Sequence, residues 1–566
     1  MNAETIKGAY IFQYRYDLDR KRELAAVYTP EAVAEFIVNN TIDCYLSNNI
    51  VDYQKIKIID PACGSGIFLI CAIEYLLSKF EDKSDSLTNS DRINIVKDSI
   101  FGLDLDLNAV SECCRNISNH ILVNPSKEEI EKLNSVLKGN FKIGNALDIS
   151  PGPIQTGTFC WEDESNGFGR ILKNGGFDVV IGNPPYRKIK NVTRKQKAFF
   201  AESIYGHINL YGLFIHLGIH LLKEHGFLGY ITPQSMMSGL YFKNLRNYIR
   251  QHTKLHTLIA FESRTKVFDD VLQAVMIEIL EKKRPEKEYT LKVGKFHDLK
   301  DFVETYRGKL FDAGFEEVFP QIDGYTFICI GTNKIDYHIF KKYFYANDAY
   351  ALSSDKIGYK AVTGQIVWNR LKQYLSDGSN GSNLPLLKGN YVKRYNFSSN
   401  PKDEHIFLEV NKKTEQFIVD KPVIIIGRVT ATEQKRRIIA AISKMDSPYF
   451  VENHYNIVDG KNPNVDARYL LAIINSKLTD YVFRKINGNT QVSATEINFL
   501  NIKRSSVEEE IVSLVEKINN KEIEQEKRVE IEDKIDDTIF DIYELSEEEK
   551  NQIKKFYWGK QNGRKI

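Results

Sequence analysis

The sequence predicts an α/β protein: a mostly parallel, Rossmann-like sheet flanked by helices, then a smaller mixed α+β domain and a helical tail. Three observations predict it. A strand, a glycine-rich turn and a helix follow one another over 56–80, the opening unit of a nucleotide-binding sheet. Strands and helices then alternate as far as Leu280, the pattern of a parallel sheet with helical crossovers. After Glu281 the texture changes through the charged break Lys282-Lys283-Arg284-Pro285-Glu286-Lys287 into a β-rich, aromatic stretch with Gly/Asn/Ser loops.

Each element has its own reason. Residues 1–50 read as helical. Thr29 is a natural N-cap there, Pro30 suits the first helical position, and Val33, Phe36 and Ile37 form an apolar stripe. The strand Ile56-Lys57-Ile58-Ile59-Asp60 leads into Pro61-Ala62-Cys63-Gly64-Ser65-Gly66 and an apolar helix from Ile67 to Phe80. Gly64 and Gly66 let backbone approach a ligand, and Asp60 ends the strand at the same crevice. The run is neither the three-glycine dinucleotide pattern nor a P-loop. A second strand, Ser99 to Leu105, ends in Asp104 and Asp106, acids placed where a carboxylate accepts two hydroxyls of a ribose; capping the next helix is the other reading of Asp106. The third strand, from Phe141, leads to Asn145 and Asp148. Either residue could take the exocyclic amine of an adenine ring, or simply shape a turn.

The fourth strand carries the most informative stretch, Phe177-Asp178-Val179-Val180-Ile181-Gly182-Asn183-Pro184-Pro185-Tyr186. Two prolines fix φ and remove two donors, so nearby carbonyls are left as acceptors. Asn183 adds a side-chain carbonyl and Tyr186 a flat ring. Two acceptors beside a stacking face suit a planar group bearing NH2. Further strands are expected at Gly226 to Thr232, Leu255 to Phe261 and Val271 to Leu280. The loop before the last of these holds Phe268, an aromatic in polar surroundings and a candidate second stacking face. Ala467 to Lys485 and Glu508 to Tyr543 read as helices.

At 566 residues the chain is too long for one core, and 42% hydrophobic with 27% charged residues is ordinary globular composition. No apolar run approaches the roughly 20 residues that span a bilayer, and the first ten residues lack the apolar core of a secretory signal. A cytoplasmic protein without a membrane partner is therefore expected. Seven cysteines with no Cys-x-x-Cys pair argue against a disulfide framework and a zinc site, so no metal is expected. Net charge is only +2, but residues 331–505 carry 26 basic against 16 acidic groups. There Arg370, Lys388, Lys393, Arg394, Arg428, Lys435, Arg436 and Arg437 interleave with Trp368, Asn369 and Tyr391, the chemistry of phosphate contact with base-edge reading.

Taken together, Asp60 to Gly66 and Asn183-Pro184-Pro185-Tyr186 resemble the N6-adenine DNA methyltransferases of restriction–modification and phage-defence systems, in the gamma motif order with cofactor motifs first. The resemblance covers residues 20–285 and, more loosely, Tyr469 to Ser476 and Tyr543-Glu544-Leu545. It implies a seven-stranded methyltransferase sheet in a catalytic domain 1–285, a DNA-recognition domain 290–505 and a tail 506–566. It implies S-adenosylmethionine as cofactor, bound by Tyr28, Thr29, Pro30, Asp60, Ala62, Gly64, Gly66 and Asp104, with Asn145 standing where the family commonly has an acid, so that the adenine contact lies between Asn145 and Asp148. It implies Asn183, Pro184, Pro185 and Tyr186 as catalytic residues, Tyr186 and Phe268 as rings against a flipped base, and double-stranded DNA as substrate. Arg370, Lys393, Arg394, Arg428, Arg436 and Arg437 are the expected DNA contacts, and a cognate restriction endonuclease is a candidate partner. The rival readings are a bifunctional enzyme with its own nuclease, and a methyltransferase acting on RNA adenine or protein glutamine, whose substrates also present planar NH2 groups.

Overall fold

The computed structural model describes residues 29–48, 55–81, 87–149, 159–263, 273–322, 324–378, 381–389, 391–397, 406–430, 434–445, 447–487, 491–519 and 523–561. Tyr28 and Phe268 lie outside them. The chain divides into two units, Met1–Met236 with Leu240–Phe315, and Met237–Gly239 with Glu316–Ile566.

The first unit is built on a sheet whose strands are β1 (Ile58–Asp60), β2 (Ile100–Asp104), β3 (Phe141–Ile143), β4 (Phe177–Gly182), β7 (Leu222–Pro233), β8 (Thr253–Phe261), β9 (Val275–Lys282), β10 (Thr290–Phe296) and β11 (Phe311–Gly314). Two short strands, β5 (Lys188–Ile189) and β6 (Ile208–Asn209), form a separate hairpin. The sheet is nine-stranded in the order β11-β10-β8-β9-β7-β4-β1-β2-β3. Parallel pairing joins β3, β2, β1, β4 and β7, whereas β9 runs antiparallel between β7 and β8. Two expectations are corrected. The sheet has nine strands rather than seven, because β10 pairs with β8 and β11 with β10. For the same reason the first unit runs to Phe315, past the boundary expected at 285.

Chain order reverses direction at β1, which has β2 on one side and β4 on the other. In an open α/β sheet such a reversal leaves a crevice beyond the carboxyl ends of the strands. Asp60 and Gly182 end the two strands that flank it. The helix Glu31–Asn48 buries Val33, Phe36, Ile37, Thr41 and Tyr45 in the core that also takes Val179, Ile181, Phe227 and Ile231 from the sheet. Asp178 anchors the start of β4: it accepts from the Lys57 backbone N–H at 2.6 Å, from Tyr45 Oη and from the Lys223 ammonium.

The second unit holds two four-stranded sheets, (Tyr359–Thr363)-(Tyr455–Gly460)-(Ile424–Gly427)-(Ala440–Ile442) and (Leu375–Ser376)-(Phe407–Glu409)-(Asn383–Leu387)-(Phe450–Val451). Its helices differ from the sequence reading in two places. The segment 467–485 is two helices, Ala467–Asn475 and Lys477–Ile486, because Ser476 turns out of the first and caps the second, its hydroxyl accepting from Thr479 N–H at 3.1 Å. The tail is likewise divided, into Glu508–Ile518, Gln525–Ile542 and Glu547–Gln561. It belongs to this unit rather than standing apart.

Candidate active site

The elbow after β4 starts with a close approach. Gly182 has φ +150°, and a Cβ built on it would lie 2.7 Å from Asp60 Oδ1. Only glycine lets the elbow come this near the end of β1, so the two expected motifs share one crevice. Gly182→Ala is expected to cost about 1–3 kcal/mol of stability, read as a lower thermal midpoint, through strained backbone and a displaced Asp60.

Asn183 follows, half-buried. Its amide nitrogen donates to Thr29 Oγ1 at 2.9 Å, while its amide oxygen is buried without a hydrogen-bond partner. A buried carbonyl left unpaired costs about 1–3 kcal/mol, so this oxygen is a vacant acceptor on a fixed group. Thr29 is thus committed to the elbow, and the helix Glu31–Asn48 follows Pro30, whose carbonyl accepts from the Val33 and Ala34 N–H groups at 3.0 and 3.1 Å. Pro184 is buried, and Pro185 and Tyr186 are half-buried. Tyr186 donates to the Ile231 carbonyl at 2.9 Å and meets Tyr211 edge-on at 6.2 Å between ring centres. Burial pushes its phenol well above the ordinary range, so it stays neutral.

The glycine turn is equally ordered. Asp60 Oδ1 accepts from Ala62 N–H at 2.9 Å, and Asp104 Oδ2 accepts from Gly64 N–H at 2.9 Å while Oδ1 accepts from Asp106 N–H at 2.9 Å. Gly66 has φ +95°, and a Cβ there would fall 2.5 Å from Cys113 Sγ. Burial raises the Asp60 carboxyl to about 8 and also raises Asp104. Asp60, fully buried, and Asp104, half-buried, face one crevice with raised carboxyls, which suits a cationic ligand. Asp106 caps the next helix, its Oδ1 accepting from Asn108 N–H at 3.0 Å. At the end of β3, Asn145 is exposed and its amide oxygen accepts from Leu147 N–H at 3.1 Å, a turn-forming role, while Asp148, three positions on, is also exposed.

Sequence reading missed a set of buried polar groups beside the elbow. Gly182 pairs with Tyr230 of β7, and Tyr230 pairs with Glu278 of β9. Glu278 is fully buried, with Thr232 Oγ1 3.3 Å from its Oε1 and its Oε2 unpartnered, as is Tyr230 Oη. Burial raises the Glu278 carboxyl to about 8. The signal was present: Glu278 is the lone acid in the apolar run Val275-Met276-Ile277-Glu278-Ile279-Leu280. At the far end of the same strand the Glu281 carboxylate sits 2.8 Å from His225 Nδ1 and 3.0 Å from His256 Nε2 within the sheet.

In the second unit three expected DNA contacts are corrected. Arg394 pairs with Glu532 and, at 3.3 Å, with Asp536; Arg436 reaches Asp536 at 3.5 Å and lies over the Tyr557 ring. Arg437 is buried, bonding Thr430 Oγ1 at 3.3 Å and Asn487 Oδ1 at 2.7 Å. Arg394 and Arg436 are paired with acids of the helical tail and Arg437 is held by neutral side chains, all within the unit. Arg370 and Lys393 are exposed. Arg428 is half-buried, with one guanidinium nitrogen on the Asn453 carbonyl at 2.9 Å and its Nε unpartnered. Lys388 stands 3.8 Å over the Trp368 ring. Among the described residues no group of His, Cys, Asp and Glu is arranged for a metal ion, and no helix is long and apolar enough to cross a membrane.

Residues 98–268, which span β2, β3 and the elbow, match the family described as Eco57I restriction-modification methylase. Over 534 residues the chain is 25% identical to the type II methyltransferase M.BsuBI of Bacillus subtilis, covering 92% of this chain and 95% of that one. The likeness is to restriction–modification DNA methyltransferases, and the chain is a methyltransferase. A second relative, the type II methyltransferase M.PstI of Providencia stuartii, is 29% identical over 371 residues, covering 63% of this chain and 70% of its own length. Among solved structures, the Type IIL restriction-modification enzyme MmeI in complex with DNA superimposes with a TM-score of 0.54 at 13% identity, over 98% of this methyltransferase and 81% of that chain. That likeness establishes the fold. Of some other solved restriction–modification chains the methyltransferase spans a smaller share, 64% of one and 39% of another.

Proposed function

We propose that this methyltransferase transfers a methyl group from S-adenosylmethionine to N6 of an adenine flipped out of duplex DNA, at a specific sequence, within a restriction–modification or phage-defence system. The observation that carries the reading is the vacant Asn183 amide oxygen, held by Thr29 at the crevice that Asp60 also faces. An exocyclic NH2 has two hydrogens to donate. The Asn183 oxygen takes one and the Pro184 carbonyl is assigned the other. Together they favour a pyramidal nitrogen with a localised lone pair. This interaction strengthens as positive charge develops on nitrogen, so it acts on the transition state.

S-adenosylmethionine supplies an activated sulfonium methyl when bound. The buried carboxyl of Asp60, raised to about 8, fits a cationic donor, because a neighbouring positive charge restores its ionised form. Asp104 is the assigned ribose contact and Asp148 the favoured adenine contact, since the Asn145 amide oxygen is occupied by Leu147 N–H. Tyr28 and Phe268 keep the roles that the motif resemblance gives them, closing over the donor and stacking on the extruded base beside Tyr186. Arg370, Lys393 and Arg428 of the second unit are the proposed duplex contacts, and a cognate endonuclease is the proposed cellular partner.

Incubation with methyl-labelled S-adenosylmethionine and duplex DNA, RNA or protein, followed by digestion to nucleosides and amino acids, tests this reading. Label is expected in N6-methyladenine from duplex DNA. Label confined to RNA or to glutamine overturns it.

A further inference from the structure

The elbow leads directly into the most basic surface segment of the first unit. Between Asp178 and Glu202 the chain holds six basic residues, Arg187, Lys188, Lys190, Arg194, Lys195 and Lys197, and no acid. All six are exposed. The β5–β6 hairpin sets Lys188 opposite Asn209 and Ile189 opposite Ile208, so the start of this segment lies beside Tyr205-Gly206-His207. That tripeptide interleaves with Tyr241-Phe242-Lys243. Lys243 Nζ stands 3.7 Å over the Tyr205 ring, and the His207 and Tyr241 rings meet edge-on at 4.8 Å. Gly206, at φ +61°, runs beneath Tyr241, where a Cβ would fall 2.7 Å from the ring. Tyr205 and Tyr241 nevertheless remain 40% and 41% exposed, large rings fixed in place with faces to solvent.

Ring-to-ring contacts tie this rim to the elbow. Tyr186 meets Tyr211 at 6.2 Å, Tyr211 stacks on Phe242 at 5.0 Å, and Phe242 is the residue between Tyr241 and Lys243. Leu210 N–H also bonds the Arg187 carbonyl at 2.8 Å, which pins the hairpin to the same helix start. A solvated face needs neither held rings nor the exclusion of acids over 23 positions. Fixed aromatic faces with interleaved cations are what a nucleic acid engages, through base or sugar stacking and phosphate pairing.

We propose that Tyr205, His207, Tyr241 and Lys243, with Lys188 of the β5–β6 hairpin, form a DNA contact of the catalytic unit itself, gripping the strand next to the extruded adenine. The inference rests on the functional reading above, and adds a DNA surface where the charge distribution had pointed only to residues 331–505. The tyrosine faces take the nucleotide exposed when its neighbour leaves the stack, and Lys188 and Lys243 take flanking phosphates. None of these residues belongs to the glycine turn or to the elbow tetrapeptide.

The test uses the full chain and a short fluorescein-labelled duplex carrying the site at which sequencing maps N6-methyladenine in DNA treated with the wild-type chain. Tyr205→Ala with Tyr241→Ala is expected to raise the duplex Kd about 10-fold or more, with Tyr241→Phe close to wild type. Lys188→Ala with Lys243→Ala is expected to make the slope of log Kd against log salt shallower by about 1 per cation removed. Affinity for S-adenosylmethionine and thermal midpoint should stay at wild-type values in all variants. If the wild-type chain methylates the duplex and the variants bind it with unchanged Kd and salt slope, this inference alone is overturned. If the wild-type chain neither binds nor methylates duplex DNA, the inference falls together with the reading beneath it.

Discussion

Asn183→Ala is expected to lower single-turnover methyl transfer to duplex DNA by a factor of about 10²–10³, with donor affinity unchanged. The magnitude follows from what is removed. The amide oxygen is preorganised: its nitrogen is tied to Thr29 Oγ1 at 2.9 Å, so the acceptor needs no reorientation when charge develops on the target nitrogen. Two further variants separate the acceptor from its positioning. Asn183→Asp keeps an oxygen at the same place, and the Thr29 hydroxyl can turn to donate to the other, so it should retain far more activity than alanine. Thr29→Val removes the group that orients the amide while leaving the acceptor present, and should cost about 10-fold. Rapid-quench transfer rates beside calorimetric titration with S-adenosylmethionine measure all three. An alanine variant that transfers methyl at more than a tenth of the wild-type rate would remove the acceptor from the mechanism.

What the sequence disclosed, and what it hid, follows the range over which each interaction acts. The elbow and the glycine turn were legible because their chemistry is local: proline removes donors and glycine permits positive φ wherever they stand. Their meeting at one crevice followed from strand order. The destinations of the cations were not legible, because a charge count cannot see a partner distant in sequence. Arg394 and Arg436 find Asp536 on a helix a hundred or more positions away, and the basic excess of 331–505 is in part the counter-charge of that acidic tail. The break at 282–287 misled for a related reason. Its charges are paired in place, Glu286 with Lys254 and Lys283 at 3.1 Å each, and Leu255 N–H bonds Tyr289 Oη at 3.1 Å. It is therefore a tight connection between β9 and β10 of one sheet, not a linker between domains. The helix break at Ser476 was hidden by an unbroken apolar period on both sides of a capping residue.

Glu278→Gln is expected to stabilise the protein at neutral and alkaline pH, by an amount that grows with pH. Burial raises the folded-state carboxyl from 4.5 to about 8. Below pH 4.5 the carboxyl is protonated in both folded and unfolded chains and contributes no slope. Between those values the unfolded chain has released a proton that the folded chain retains, so stability falls as pH rises, at about 1.4 kcal/mol per unit. Above pH 8 both forms are ionised and the fall stops, having reached on the order of 5 kcal/mol. Glutamine is neutral throughout, and its amide has Thr232 Oγ1 and the unpartnered Tyr230 Oη beside it. Urea midpoints measured from pH 5 to 9 should therefore diverge between wild type and variant up to about pH 8 and run parallel beyond; parallel curves throughout would mean that Glu278 is ionised in the folded protein. Such a penalty in mid-sheet is more than packing requires, since an apolar residue at 278 would avoid it. The acid stands opposite Tyr230, which itself pairs with Gly182 at the root of the elbow. A site held in place by groups that weaken the fold is where selection for stability and selection for chemistry part, and the strand beneath the elbow bears that cost.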